Sequence, residues 1–340
     1  MKQKFSGRLI PTVVVLLAVI AGMLLVFGGL ERYLLSVDSE TRVDTGKNNA
    51  GGRIFYDGAW YASKDALETI LIMGIDTVED TGFTAGSSDR SEEGMGQADF
   101  LELLILDKEN QEFRLLHINR DTMAEIFQTD MYGRNAGSFR GQLALAHAYG
   151  RDPDDGCRQT VKSVENLLYG ISIDHYISLT MDAVSILNDK AGGVTLTLLD
   201  DFTHLDPNFH EGAVVTLTGE QALVYVRERG ALDDSSNLRR MERQRQYMDG
   251  LFTAFRDSAD AMDEAFSMDA LLEVNAYMVS DCTADQLSDL TEILHQYAYA
   301  GIHTLEGESV MGQSHMEFHL DDAAAQKTVL DLFYTLVPAE

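Results

Sequence analysis

An uncharged stretch of 22 residues, from Leu9 to Leu30, constrains the topology of this chain more than any other feature. As a helix it would measure about 33 Å, enough to cross a hydrocarbon core of about 30 Å. Three basic residues precede it, and a basic flank favours the cytoplasmic side. We therefore predict a cytoplasmic tail at 1–8, a single transmembrane helix at 9–30, and an extracytoplasmic remainder held at the cell membrane.

A cleavable signal peptide is the alternative explanation of this stretch. Its apolar region would be shorter, about 7–15 residues, and an A-x-A-like cleavage site would follow it. Here the apolar stretch is long and ends in Gly28-Gly29-Leu30-Glu31-Arg32. These features favour an uncleaved anchor. Residues 31–66 are largely polar and contain a glycine-rich segment, which predicts a spacer between the membrane and the folded part.

The charge balance excludes one broad class of function. The chain has 26 basic and 55 acidic residues, a formal net charge of −29. A nucleic-acid-binding protein needs a basic footprint, so we expect no nucleic-acid partner. An acidic chain suits a divalent cation and can still carry a local basic pocket.

Short apolar runs alternate with helical patterns through the middle of the chain. Strands are predicted at 68–75, 99–107, 112–118, 174–180 and 194–199, and helices at 137–149, 159–169, 181–189, 219–226 and 237–255. This alternation is typical of a layered α/β domain, which we place at 67–256, and the second and third strands should form a hairpin.

The remainder, 257–340, has mostly helical patterns and predicts an extension packed on the α/β domain. Helices are predicted there at 269–279, 284–297 and 322–336, and a late edge strand at 317–319.

Charged residues stand where three of the predicted strands begin or end. Asp76 follows the first, Asp99 opens the second, and Arg120-Asp121 closes the third. If the first two strands are neighbours, their carboxylates meet at one edge of the sheet, and carboxylate oxygens are ligands that Mg²⁺ prefers. The alternatives are a loop cap or surface acid for each carboxylate, and a simple ion pair for Arg120.

Six arginines fall within 28 residues in the second half of the chain. Arg227 and Arg229 follow one predicted helix, and Arg240, Arg243 and Gln244 lie at helical spacing on the next. Like charges at that spacing repel, so the arrangement suits a polyanion lying across the face. Because the guanidinium fork matches phosphate oxygens two at a time, we predict a phosphate or pyrophosphate site. A solvated helix paired with nearby acids is the alternative.

Cys157 and Cys282 are the only cysteines in the chain. Two cysteines outside the membrane most often pair, so we predict a disulfide that ties the C-terminal extension to the α/β domain. A metal-binding or nucleophilic role is the alternative. The nine histidines show no metal-ligand spacing such as HExxH and are predicted to be structural or surface residues.

The candidate residues stand in motifs that resemble those of the LytR–CpsA–Psr family of membrane-anchored enzymes of mainly Gram-positive envelopes. The resemblance spans about 67–255. Its motifs are LIMGID ending at Asp76, ADFLELLIL at Asp99, INRDT at Arg120, GGVTLTL, LTGEQALVYVRER, and NLRRMERQRQ.

The resemblance implies an α-β-α sandwich with a central mixed sheet and an apolar groove for a polyprenyl chain. Family members transfer a glycopolymer, such as teichoic acid or capsule polysaccharide, from a polyprenyl-pyrophosphate carrier to peptidoglycan. The acceptor is the N-acetylmuramic acid hydroxyl, and a phosphodiester forms. The implied partners are the lipid-linked glycopolymer, peptidoglycan and the membrane. Alternatives are a polyprenyl-pyrophosphate hydrolase and a non-catalytic envelope binding or regulatory protein.

The resemblance also implies roles for particular residues. Asp76 and Asp99 match the family's ligands to Mg²⁺, with Mn²⁺ as an alternative ion. The predicted catalytic residues are Arg120, Asp121, Arg227 and Arg229, with Asp121 or a metal-linked carboxylate as the base. The predicted pyrophosphate contacts are Arg120, Arg227, Arg229, Arg240, Arg243 and Gln244.

This chain departs from the family pattern at several positions beside the predicted site. Asn119 replaces a proline, and Gln97-Ala98 replace an Arg-Ser pair. Ala144 to Ala146 replace Lys-Ile-Asn, and Asn237 replaces an aspartate. The residues predicted to bind the metal and the pyrophosphate are retained, so the departures concern contacts to the polymer or the acceptor.

Overall fold

The computed structural model describes residues 53–76, 95–228, 236–259, 273–313 and 315–338. The predicted cytoplasmic tail, transmembrane helix and most of the spacer lie outside these ranges, and so does Arg229. No helix within them is both long and apolar enough to cross a membrane.

The described ranges contain the following strands and helices. The strands are β1 Arg53–Tyr56, β2 Ala59–Ser63, β3 Leu67–Asp76, β4 Gln97–Asp107, β5 Glu112–His117, β6 Met123–Thr129, β7 Asn135–Gln142, β8 His175–Thr180, β9 Val194–Thr197, β10 Val214–Leu217, β11 Met278–Ser280, β12 Ala298–Thr304, β13 Gly307–Met311, β14 Met316–Leu320 and β15 Tyr334–Val337. The helices are α1 Pro153–Leu167, α2 Asp182–Lys190, α3 Gly219–Arg227, α4 Ser236–Ala259, α5 Ala284–Gln296 and α6 Asp322–Phe333, with 3-10 helices at Leu143–Tyr149 and Asn275–Tyr277.

A six-stranded sheet with the order β11-β8-β3-β4-β5-β12 forms the centre of the fold. β3 is parallel to β8, and β5 is parallel to β12, while the other neighbours are antiparallel. The predicted hairpin is β4–β5. Strands buried on both faces are apolar nearly throughout, which explains the continuous runs in β3 and β4.

Successive residues of β3 contact two different hydrophobic clusters, one on each face of the sheet. Leu71 and Met73 join a core built with the first 3-10 helix, α1 and α6. Ile70 lies on the other face, where Leu287 and Leu290 of α5 pack. The prediction of a mixed α/β fold around a central mixed sheet is thus confirmed.

A third cluster supports the arginine-bearing helix. The β9–β10 hairpin, α2, α3 and α4 share a core that includes Tyr225, Tyr247 and Leu251. Thr218 caps α3 with a reciprocal capping box. A Cβ on Gly219 would lie 2.4 Å from the Ser185 carbonyl oxygen, so only glycine allows α3 to start this close to α2.

A β-bulge interrupts the pairing of β3 with β4 near the end of β3, between Gly74 and Ile75. Gly74 pairs with Phe100 and Ile75 pairs with Ala98, so Asp99 has no partner residue on β3. A Cβ on Gly74 would approach Cβ of Phe100 to 2.9 Å, which explains the glycine. Bulges beside functional sites change the direction in which a side chain points, and this bulge sets the direction of the Asp99 side chain.

The segment 137–149, predicted as a helix, is instead the strand β7 followed by a 3-10 helix. β7 pairs antiparallel with β6 along its length. Gly137, at φ 108°, has a backbone that a helix does not allow. The helical prediction was wrong because pairing with β6 overrides the local pattern.

The C-terminal part of the chain, 257–340, contributes strands to the central sheet. β11 and β12 are the two edge strands of the central sheet, and residues 51–340 form one compact unit. The predicted helix at 322–336 ends at Phe333, because Tyr334–Val337 pairs with β2.

The predicted disulfide is absent, and both cysteines are free thiols. Cys157 is a buried residue of α1 and belongs to the core on one face of the sheet, whereas Cys282 packs with α5 on the opposite face. The central sheet therefore separates them. Burial raises the pKa of the Cys157 thiol to about 12, so it also lacks the thiolate that a nucleophile needs.

Candidate functional site

Asp99 is the centre of the site. Its carboxylate is buried at the bulge of β4. Arg120, which follows β5, donates from Nη1 to Oδ1 of Asp99. Arg240 of α4 donates from Nη1 to Oδ2 at 3.3 Å. One carboxylate from the sheet therefore fixes two arginines that are 120 residues apart in sequence.

Asp76 forms a second, more open ion pair at the end of β3. Arg227, the last residue of α3, donates from Nη2 to Oδ1 of Asp76 at 3.2 Å. The two side chains are 36% and 34% exposed, so a ligand can reach this pair. Asp76 pairs with Gln97, two residues before Asp99. The two acids thus lie at the same end of the neighbouring strands β3 and β4, as predicted.

Arg120 is held by polar neighbours as well as by Asp99. Its Nη2 donates to Oε1 of Gln97 at 2.9 Å, and its Nε lies 3.5 Å from Oδ1 of Asp121. Gln142 of β7 donates to that same oxygen at 2.8 Å. Gln97, one of the departures from the family pattern, is therefore part of the arrangement that orients Arg120.

The turn before Arg120 explains a second departure. Asn119 accepts the Asp121 amide on its side-chain oxygen at 2.9 Å and the Thr122 amide on its carbonyl oxygen at 3.0 Å. An asparagine side chain that accepts an amide two residues on mimics a turn. Asn119, which stands where the family pattern has proline, thus stabilises a tight turn through its hydrogen bonds.

Arg243 and Gln244, which are predicted to contact the pyrophosphate, bond to the end of α3 and to Asp200. Arg243 is buried and donates to the Tyr225 carbonyl at 2.9 Å, to the Glu228 carbonyl and to Asp200. Gln244 donates to the Val226 carbonyl at 3.2 Å. Both therefore satisfy the terminal carbonyls of α3 and hold the end of that helix, where Arg227 stands.

Asp200, which the sequence did not single out, anchors the start of α4. Arg239 donates to it from Nε at 2.7 Å, and Arg243 donates to its other oxygen. Burial alone would raise the pKa of Asp200, but these hydrogen bonds outweigh it and hold the pKa below its ordinary value. Nothing local in the sequence marks this residue, because both partners are about 40 positions away.

His147, also unpredicted as a contributor, holds the chain just before β4. Its Nδ1 lies 3.2 Å from the Gly96 carbonyl oxygen, so that nitrogen must be the donor. The ring is buried, and burial lowers its pKa below the ordinary value. His147 is therefore neutral at pH 7 and fixes the residue that precedes Gln97.

The donor set is suited to a metal–pyrophosphate ligand. Asp76 and Asp99 offer hard carboxylate oxygens at one edge, which fits Mg²⁺ if water and phosphate oxygens complete the shell. Three arginines surround them, and these already form ion pairs with the acids. The arginines and carboxylates of the site neutralise one another. A polyanion could therefore bind the guanidinium groups while a cation replaces them at the carboxylates.

A second group of metal-type ligands, His175, Asp281 and Cys282, fits a metal poorly. Oε1 of the Gln286 side chain accepts the Thr283 backbone amide, so Nε2 of that side chain must donate to Nε2 of His175, 2.8 Å away. The ring proton then stands on Nδ1, 3.5 Å from Asp281. That nitrogen would have to lose its proton to bind an ion.

The chain is similar in sequence to curated proteins named TagU. The polyisoprenyl-teichoic acid–peptidoglycan teichoic acid transferase TagU of Halalkalibacterium halodurans is 32% identical over 183 residues, 54% of this chain and 51% of that protein. The TagU protein of Bacillus cereus is 27% identical over 280 residues, 80% of this chain and 79% of that protein. The chain thus spans about half the length of the first relative and most of the second.

Solved structures share the fold. Bacillus subtilis TagU superposes with a TM-score of 0.53 at 22% identity, covering 81% of this chain and all of that one. A structure of TagT bound to LI-WTA gives a TM-score of 0.56 at 19% identity, covering 79% and 90%. The sequence profile of the LytR_cpsA_psr family matches residues 33–332. This match covers most of the chain, and the chain therefore belongs to the LytR_cpsA_psr family.

Proposed function

We propose that the chain transfers a glycopolymer from a polyprenyl-pyrophosphate carrier to peptidoglycan. One observation carries the proposal: Asp76 and Asp99 lie at the same end of β3 and β4, in ion pairs with arginines from three separate parts of the chain. The names of the TagU relatives, which are teichoic acid–peptidoglycan transferases, support the same reaction.

The arginines are suited to the charge of the substrate. A pyrophosphate diester carries two negative charges and gains more in the transition state, where electrostatic stabilisation is the main contribution of the protein. Each hydrogen bond from a charged group contributes about 1.5–3 kcal/mol. Arg120, Arg227 and Arg240 can provide several such bonds once they turn from the carboxylates to phosphate oxygens.

The reaction exchanges one phosphorus–oxygen bond for another. The acceptor hydroxyl oxygen bonds to the phosphorus on the sugar side, and the bond from that phosphorus to the bridging oxygen breaks. The lipid monophosphate leaves with the bridging oxygen, and a carboxylate takes the hydroxyl proton. Asp76 and Asp121 are the candidate bases, and Asp76 is the more exposed of the two.

A divalent cation completes the proposed site. Asp76 and Asp99 would hold Mg²⁺ or Mn²⁺, which would neutralise phosphate charge when bound. Asp99 keeps Arg120 and Arg240 oriented, and Arg227 stands at the open side where the head group enters.

The proposed setting is the outer side of the cell membrane. The apolar stretch at 9–30 would anchor the chain there with its N-terminus in the cytoplasm, close to a carrier that is itself a lipid. The rest of the chain would form an α-β-α sandwich with its polyprenyl groove facing that lipid.

Calorimetric titration of the purified full chain with farnesyl pyrophosphate, with and without Mg²⁺, tests the pyrophosphate site. We expect tighter binding with Mg²⁺, and at least tenfold weaker binding in Arg120→Lys, because lysine cannot form two parallel bonds. Arg134→Gln is the control, since Arg134 pairs with Asp130 at the tip of the β6–β7 hairpin. Equal affinity of wild type and Arg120→Lys would refute the site.

A further inference from the structure

The small sheet β1-β2-β15 carries an unusual row of apolar side chains on one face. Phe55 pairs with Trp60, and Trp60 pairs with Val337, so the three lie side by side across the strands. Phe55 is 60% exposed and Trp60 is 40% exposed, and their ring centroids are 5.1 Å apart. We call these three residues the aromatic row.

Phe55 and Trp60 are the exposed members of the aromatic row, whereas Val337 is partly buried. Tyr56, Tyr61 and Tyr334 alternate with it along the strands and are partly buried, and Tyr334 packs against the main core. An antiparallel sheet with one packed face usually carries polar residues on the other. A large exposed apolar group usually marks an interaction site.

The chemistry around the row indicates what covers it. An adjoining apolar cleft is lined by Gly58, Ala59, Trp60, Leu336, Val337 and Pro338, none of them charged. A chain with a net charge of −29 is repelled by an anionic surface, so contact there must be apolar. Tryptophan favours the boundary between lipid and water, where its ring is buried and its N–H stays wet.

The position of the sheet in the chain also favours contact with a membrane. β1 is the first described strand after the apolar stretch that ends at Leu30. The 22 residues between them, Glu31 to Gly52, can span at most about 75 Å. Of the sheets described, this one is tethered most directly to the bilayer.

We propose that the aromatic row docks onto the lipid–water interface of the membrane that holds the anchor. This inference rests on the proposed anchor, and it adds a second contact that limits how the domain is oriented. Asp76 lies at the far end of β3 from this sheet, about 30 Å along the strand. Docking by the row would therefore fix the distance between the pyrophosphate site and the lipid surface.

Trp60 is the chain's only tryptophan, so its fluorescence reports on this row alone. The full chain is reconstituted into phosphatidylcholine vesicles with either plain or brominated acyl chains. We expect brominated lipid to quench about half of the Trp60 emission or more. The double variant Phe55→Ser/Val337→Ser should lose most of that quenching. Val214→Ser removes a valine of β10 that is 70% exposed and lies outside this sheet, and it should behave as wild type.

Flotation of the same vesicles separates failure of the docking from failure of the anchor. A chain that floats with the vesicles but shows no quenching would overturn the docking alone. A chain that does not float would overturn both the anchor and the docking. A concentration-dependent blue shift of Trp60 emission without lipid would show that a second copy covers the row, and would also overturn the proposal.

Discussion

Asp99 balances the charge of two buried arginines, and this role can be tested by experiment. Its carboxylate neutralises Arg120 and Arg240 in a buried position, so removing the charge leaves two guanidinium groups unbalanced. Breaking a buried ion pair by removing one partner typically costs about 3–5 kcal/mol. We expect Asp99→Asn to lower the melting temperature by several degrees.

Inorganic pyrophosphate should restore part of that loss, because it supplies the missing negative charge to the same arginines. Thermal melts of the wild type and Asp99→Asn, each with and without pyrophosphate, measure both effects. A larger stabilisation by pyrophosphate in the wild type than in the variant would contradict this account of the buried arginines.

His147 should make stability depend on pH. Burial lowers its folded pKa below the unfolded value of 6.5, so the unfolded chain binds the proton more readily. Its contribution is therefore present above pH 6.5 and is lost as the pH falls toward the folded pKa. The wild type should lose stability below pH 6.5, and the curve of His147→Gln should be flatter there. Parallel curves in urea titrations at several pH values would contradict this assignment.

Glu102 and His117 form an unusual pair in the middle of the central sheet. They are cross-strand partners on β4 and β5, both buried, and none of their side-chain polar atoms has a hydrogen bond. Their nearest atoms, Nδ1 and Oε1, are 3.8 Å apart. Because buried polar groups without partners are costly, replacing the whole pair in Glu102→Leu/His117→Leu should stabilise the protein by about 1 kcal/mol or more. A lower stability in chemical denaturation would show that the pair contributes favourably.

The residues of the site could be predicted from sequence where their signal is local. Asp76, Asp99 and Arg120 stand at strand ends, and the arginine spacing located Arg227 and Arg240. The same spacing did not reveal that Arg243 holds the end of α3, because spacing shows which residues share a helix face but not what that face contacts. Asp200, Gln142 and His147 were missed, since their partners are distant in sequence and only the fold brings them together.

At the scale of elements, the start of α3 depends on its capping box. The Thr218 side chain accepts the Gln221 amide, and Gln221 accepts the Thr218 amide in return. Loss of such a cap costs about 1 kcal/mol. Thr218→Ala should reduce the free energy of unfolding by that amount, while Thr218→Ser, which keeps the oxygen, should not. Equal stability of the two variants in urea would mean that packing alone fixes the helix.

Element boundaries were predictable where periodicity and burial agree. β3, β4 and β5 appeared as apolar runs because both faces of the sheet are covered. The strand β7 was mistaken for a helix, since its identity comes from pairing with β6 and not from its own pattern. The edge strands β11 and β12 were not foreseen, because their pairing partners lie more than 100 residues earlier.

At the scale of the whole molecule, a strongly acidic protein keeps a compact group of arginines poised for an anion. Asp76 and Asp99 hold Arg120, Arg227 and Arg240 in place by ion pairs, which the proposed ligand would replace. Acids elsewhere on the chain limit non-specific binding of polyanions. This arrangement predicts a site that takes up a metal-bound pyrophosphate better than pyrophosphate alone.

The most direct test of the central claim is a transfer assay that follows both halves of the product. The full chain is incubated with Mg²⁺, a polyprenyl-pyrophosphate-linked glycopolymer carrying one label, and peptidoglycan oligomers carrying another. We predict one covalent product with both labels, joined by a phosphodiester, and none with Asp99→Asn. Release of the polymer without linkage to peptidoglycan would identify a hydrolase instead. No turnover of the donor at all would contradict the catalytic role of the site.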